Sequence, residues 1–223
     1  MKLPLFFASA LIAAVAALPS SAQNQAPACI SGVQPAFRNL DFSEGPPGER
    51  PPGWGPVDRA CYLPPHDPDP VEVVASSLCF TGIHCAVLRS IPVNRTPDPG
   101  EDEVIRYISL LRAPHVERHV GLSQNVDVTL YRGRVLTFRA SVRAEVPDGS
   151  EARLFVRIHR EDGRTSFFDD MGRFPVRSSA WHFYEIPAPI GRDASDVEFG
   201  MQLTGQGEAW IDHITVDFTG GDK

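Results

Sequence analysis

From residue 126 to residue 218 apolar and polar side chains alternate in short runs, and turn residues interrupt them about every ten positions. The clearest run is 135–143. Leu136, Phe138, Ala140 and Val142 fall on one face, Val135, Thr137, Arg139, Ser141 and Arg143 on the other, and Pro147-Asp148-Gly149 closes it. A period of two is the strand period, because successive side chains leave a strand on opposite sides. In run 154–159, Val156 and Ile158 oppose Arg157 and His159, and Glu161-Asp162-Gly163 supplies the turn. Runs 126–130, 181–186, 197–203 and 209–218 read as further strands, with a looser one at 104–108. In the last, Trp210, Asp212, Ile214, Val216 and Phe218 are expected on one side. No run carries the spacing of an amphipathic helix. The expected fold class is all-β, a sandwich or a barrel.

The N-terminus reads as an export signal. Lys2 precedes an apolar or small-residue run over residues 3–18, and Pro19-Ser20-Ser21-Ala22 follow. A charged start, a short apolar stretch and small residues before Gln23 fit a cleaved signal peptide over 1–22. The run is shorter than the roughly 20 residues a membrane anchor needs. Residues 23–36 are then an N-terminal extension, 37–218 one domain and 219–223 a polar tail. No later segment is long and apolar enough to span a membrane, so the expected location is secreted or periplasmic. Loss of Lys2 takes the formal net charge from −7 to −8. Arginines scattered among carboxylates on an acidic chain argue against nucleic acid as a partner.

All four cysteines, Cys29, Cys61, Cys79 and Cys85, lie in the first half of the chain. An even count in an exported protein favours disulfides, with three possible connectivities. Cys79 and Cys85 flank a short loop containing Gly82, which suits a local bridge, and Cys29 would then join Cys61. No Cys-x-x-Cys spacing supports a zinc site. Residues 45–70 hold Pro46, Pro47, Pro51, Pro52, Pro56, Pro64, Pro65, Pro68 and Pro70. Proline lacks a backbone donor, so this stretch is expected as a loop over one end of the domain. A second loop spans 94–102.

Several motifs resemble one known family. Leu122-Ser123-Gln124-Asn125-Val126-Asp127 with Gly133-Arg134 is similar to its "L-Q-x-V-D … G-K/R" entry into a strand. Phe168-Asp169-Asp170-Met171 resembles "F-D-N-M", and Pro175-Val176 with Trp181 resembles "P-V-x-G-T-x-D-W". The stretch 200–212 resembles "G-x-x-L-x-G-x-G-x-x-W-x-D-D", with His213 at the second terminal aspartate. Asn39-Leu40-Asp41-Phe42 and Pro52-Gly53-Trp54 resemble "N-L-D-F-E … P-x-G-W". These are motifs of the galactose-binding-like jelly-roll domains, which include carbohydrate-binding modules and the accessory domain ahead of some serine–lysine tail-processing peptidases. The resemblance implies a jelly-roll β-sandwich of two antiparallel sheets, with a concave face and end loops for binding. It also implies a structural calcium ion where the opening strand meets the closing one, with Asp41 or Glu44 and Asp212 as ligands.

Catalytic constellations are scarce. A serine–lysine peptidase needs a base lysine. Besides Lys2, Lys223 is the sole lysine, on a polar tail. No Gly-x-Ser-x-Gly elbow occurs. His115-Val116-Glu117-Arg118-His119 has its glutamate at neither zincin position. A glycosidase, needing only two carboxylates at the right separation, stays as the third reading.

The leading reading is a non-catalytic binding domain for carbohydrate or cell-envelope glycan. Its alternative is an interaction domain for another exported protein. Sugars are held by aromatic faces and planar polar groups. The candidate contacts are Arg157, His159, Phe168, Asp169, Asp170 and Arg173, with Trp54, Tyr62 and Trp181 as further aromatic candidates. Trp181 and Trp210 also suit a core.

Overall fold

The structure, a computed structural model, describes residues 32–57, 71–90 and 119–220. The expected signal peptide, Cys29, Cys61, Tyr62, His115, Glu117, the loop 94–102 and the run 104–108 lie outside them. Among the described residues nine strands form two antiparallel sheets. They are β1 (Val71–Ala75), β2 (His84–Ser90), β3 (His119–Asp127), β4 (Val135–Glu145), β5 (Glu151–Arg160), β6 (Thr165–Asp169), β7 (His182–Pro189), β8 (Ala194–Thr204) and β9 (Gly207–Thr219). One sheet has the order β1-β2-β9-β4-β7, the other β3-β8-β5-β6. From β3 to β5 and again from β7 to β9 the chain crosses between the sheets at every step, as in a jelly roll. The fold class is the one the alternation implied.

The inward faces are the apolar halves of the alternating runs. Leu136, Phe138, Ala140, Val142 and Ala144 of β4 are buried against a core that holds Leu154, Val156 and Ile158 of β5 and Val197, Phe199, Met201 and Leu203 of β8. Each large side chain removed from water in this way contributes roughly 1.5–3 kcal/mol. Gly200 is a packing requirement. A Cβ there would lie 1.9 Å from the Leu122 carbonyl oxygen of the neighbouring strand.

Two expectations about strands change. Run 126–130 is not one strand: β3 ends at Asp127 and Thr129–Tyr131 form a 3-10 turn. The Asp127 carboxylate accepts the Thr129 N–H at 2.8 Å, an Asx turn that ends the ladder. In β9 the strict alternation fails. Ser141 pairs with Asp212 and Arg139 with Thr215, so β9 carries one residue more than β4 across this step. The extra residue is His213, at φ 49°. A bulge flips the parity of everything before it. Ala209 and Ile211, not Trp210 and Asp212, therefore share the core side with Ile214, Val216 and Phe218. Strands β1 and β2 had no counterpart in the sequence reading.

The proline-rich segment does more than cover one end. Gly48 and Glu49 hydrogen-bond to Val73 along β1 (2.9 and 2.8 Å), and Gly55 pairs with Ser123 of β3. The segment thus closes one edge of each sheet, which is where prolines are tolerated. Ahead of it, Gln124 anchors Arg38, accepting from the Arg38 N–H and donating to the Arg38 carbonyl.

Candidate functional site

Strand β5 presents Arg153, Arg157 and His159 on the outer face of the four-stranded sheet, opposite the buried Val156 and Ile158. Register places each beside a polar residue of β8: Arg153 faces Gln202, Arg157 faces Glu198 and His159 faces Asp196. On the other side β6 sets Phe168 against Arg157. The Arg157 guanidinium carbon lies 5.1 Å from the Phe168 ring centroid, and its Nη1 donates to Glu198 at 3.1 Å. Phe168 is nevertheless 50% exposed. The stacked cation orients the ring and leaves much of it to solvent.

The Phe168-Asp169-Asp170-Met171 loop is a tight turn held by its own carboxylates. Asp169 accepts the Met171 N–H at 2.8 Å, and Asp170 accepts the Gly172 N–H at 3.0 Å. Met171 sits at φ 56°. The second oxygen of Asp170 takes Arg153 Nη1 at 2.9 Å. Arg153 also bridges Glu151, which in turn accepts Arg177 at 2.9 Å. An open groove of about 630 Å³ runs beside these groups, lined among others by His119, Glu151, Arg153, Asp170, Gln202 and Thr204. At the loop tip Arg173 is exposed and Phe174 is 74% exposed.

Arg157, His159 and Phe168 therefore share one sheet face, and Asp170 reaches it through Arg153. Asp169 pairs with the inward-facing Val156, which puts it on the other side of β6, and Arg173 stands exposed at the loop tip. Arg153, His119, Glu151, Gln202, Thr204 and Phe174 were missed. The first five come from β3, β5 and β8, and strand pairing alone brings them to the groove. Phe174 carries a legible signal, as an aromatic residue in a Gly-Arg-Phe-Pro turn. Trp54 leaves the candidates: it is fully buried. Trp181 and Trp210 leave the core, since both lie partly exposed on the outer side of the five-stranded sheet.

His159 Nδ1 lies 2.7 Å from Asp196 Oδ2, and Ser195 Oγ donates to Asp196 Oδ1 at 2.6 Å. The bond to Asp196 holds the imidazole above its ordinary 6.5 against the opposing effect of burial. Burial pushes the Asp196 carboxyl up, but the bonds from His159 and Ser195 outweigh it and hold the group below 3.8. The trio is not a nucleophilic relay, because the serine hydroxyl is spent on the carboxylate rather than on the imidazole. A raised histidine stabilises the fold below pH 6.5 and loses that effect as pH climbs through its folded value. A depressed aspartate stabilises it above 3.8 and loses that effect as pH falls through its folded value. The pair is thus at full strength between about 3.8 and 6.5. Urea unfolding should show His159→Gln destabilised by about 1 kcal/mol at pH 6. The gap should shrink as pH rises, and a gap independent of pH would show that the contact is not ionic.

The expected calcium ligands lie in three separate hydrogen-bond systems. Asp41 accepts the Ser43 hydroxyl (2.9 Å) and N–H (3.2 Å), which hold its carboxyl below the usual range. Glu44 is bound by two nitrogens of Arg38, at 2.6 and 2.9 Å. Asp212 is fully buried, and its Oδ2 accepts both the N–H (2.8 Å) and the hydroxyl (3.0 Å) of Thr81. Among the described residues no three His, Cys, Asp or Glu side chains gather where a metal ion could be held. Each of these three carboxylates is engaged by protein donors. The Cys79–Cys85 disulfide is present, closing the loop that carries Thr81.

No family model matches the chain. Over 67 residues it is 28% identical to an uncharacterised HTH-type transcriptional regulator, YbfP, of Bacillus subtilis (strain 168). That stretch is 30% of this chain and 23% of the regulator, so the chain spans under a quarter of that curated relative. Among solved structures it is similar to the enzymatically active domain of bacteriophage CBA120 tailspike protein 4. The TM-score is 0.46 at 11% identity, over 67% of this chain and 18% of that one. It is also similar to the CBM22-1 xylan-binding domain from Paenibacillus barcinonensis Xyn10C, with a TM-score of 0.49 at 12% identity, over 82% and 94% of the two chains. Carbohydrate-binding modules of families 4, 16 and 61 resemble it as well, with TM-scores of 0.43, 0.43 and 0.46. The likeness is one of fold.

Proposed function

We propose that the outer face of the four-stranded sheet binds a glycan and that the protein is a non-catalytic, exported binding domain. The observation that carries this reading is the groove beside Arg153, continued along the same face by Arg157 and the half-exposed Phe168. Arg153 and Arg157 are four residues apart on β5, about 13 Å, enough for more than one pyranose ring. Planar groups that hydrogen-bond hydroxyls line this length, and Phe168 and Phe174 offer ring faces to sugar CH groups. The resemblance of the 168–171 and 200–212 motifs to the galactose-binding-like domains, which include carbohydrate-binding modules, supports the same class.

Three carboxylates of this face are paired with cations, Asp170 with Arg153, Glu198 with Arg157 and Asp196 with His159. That arrangement suits fixed acceptors for hydroxyl groups better than a glycosidase pair, one of which must carry a transferable proton. A disulfide between Cys79 and Cys85 fits an oxidising compartment and hence the signal peptide over residues 1–22. Mass spectrometry of the exported protein should find it starting at Gln23.

The test is retention of the oxidised protein on insoluble polysaccharides and peptidoglycan, with calcium and with chelator. Retention on one glycan is expected, weakened about tenfold or more by Phe168→Ala or Arg157→Ala. Folded protein that no glycan retains would remove the reading.

A further inference from the structure

The five-stranded sheet carries a second exposed surface, on the opposite side of the molecule from the groove. Its centre is apolar. Phe183 of β7 is 54% exposed and Phe80 of the 76–83 loop is 41% exposed. Their rings meet edge to face at 5.1 Å, and Phe80 also contacts Trp181 and His213 at 6.0 and 5.7 Å. Leu78 and Ile83 flank them at 70% and 63% exposure. Scattered exposed apolar residues are ordinary, but a contiguous group is an interaction signature.

The group is also held rigid. The Cys79–Cys85 disulfide closes the loop, Thr81 is tied twice to buried Asp212, and Trp181 Nε1 donates to the Leu78 carbonyl at 3.2 Å. Aromatic anchors fixed before binding lose little entropy on association. The perpendicular rings and the branched aliphatic flanks offer no flat platform to a sugar, but they match apolar side chains of a polypeptide.

Charge narrows the partner. Around the apolar centre this face carries Arg139 between Glu185 and Asp217, Arg143 beside Glu145, and Arg89 between Glu72 and Glu208. Five carboxylates against three arginines leave an acidic rim. Among the described residues strand β7 is moreover an edge, paired with β4 alone. Pro187 and Pro189 interrupt its donors toward one end, and the stretch that holds Phe183 is free of proline. An added strand there would lay alternate side chains over Phe183 and Phe80.

We propose that this face docks an extended segment of another protein in which large apolar residues alternate with lysine or arginine. The probe is a short synthetic peptide of alternating lysine with phenylalanine and valine, titrated calorimetrically into the oxidised protein, with a glutamate-for-lysine peptide as counterpart. Micromolar binding of the basic peptide is expected, weakened by added salt and about tenfold or more by Phe183→Ser. Leu130→Ser, at a still more exposed apolar site elsewhere, should leave it unchanged, and both variants should keep the parent melting temperature. Absence of binding overturns the proposal, as does equal binding of the acidic peptide or binding indifferent to Phe183→Ser. Concentration-dependent dimerisation abolished by Phe183→Ser would assign the face to a second copy of this chain, and protection by a soluble glycan would assign it to sugar. Either result also overturns the proposal.

Discussion

Replacing Trp54 by alanine should lower the unfolding free energy by about 3–5 kcal/mol, enough to unfold much of a marginally stable domain. Trp54 is fully buried and lies between Phe42 and Phe199, at centroid distances of 5.5 and 5.6 Å. Its Nε1 donates to the Asn39 carbonyl at 3.0 Å. Asn39 in turn accepts the Glu44 N–H and donates to the Pro52 carbonyl. The ring therefore fastens the strandless segment 32–57 to a β8 core residue, and that segment closes the edges at Val73 and Ser123. Truncation would leave a cavity and an unpaired carbonyl together, which compounds the loss. Urea unfolding of the variant is the measurement. A change under about 1 kcal/mol would mean that the segment is not integral to the core.

Asp212→Ala should cost about 2–4 kcal/mol, since three donors lose a charged acceptor in a buried place. Asp212 Oδ2 takes both Thr81 bonds, and Oδ1 takes the His213 N–H at the bulge. The substitution should also loosen the 76–83 loop and expose its disulfide to faster reduction, which thiol trapping would read. Chelation separates this use of Asp212 from the calcium one. If Thr81 holds the carboxylate, excess EDTA leaves the melting temperature unchanged. A fall restored by calcium would put the ion at Asp212 and require Thr81 to give up its place.

Much of this fold was legible because β alternation is local. The faces of β4 and β5 follow from counting by twos, and the Leu136–Val142 and Arg157–His159 assignments needed nothing else. The gathering of Arg157, His159 and Phe168 was legible for the same reason, helped by motifs that recur in a known family. The β9 face was not, because a single inserted residue at His213 reverses parity and no local rule announces a bulge. Trp54 was misplaced for a related reason. A tryptophan's position depends on what lies across from it, and Trp54 sits in a segment without strand periodicity to show which way it faces.

The sequence by itself determined the all-β class and the inward faces of the regular strands. These depend on neighbours along the chain. Only the tertiary structure decided that Arg153 stands between Glu151 and Asp170, that Asp196 belongs to His159, and that Phe80 meets Phe183. Apart from Arg153 and Glu151, two residues apart on β5, those pairs join residues of different strands or loops, and register, a property of two strands at once, sets which side chains come within reach.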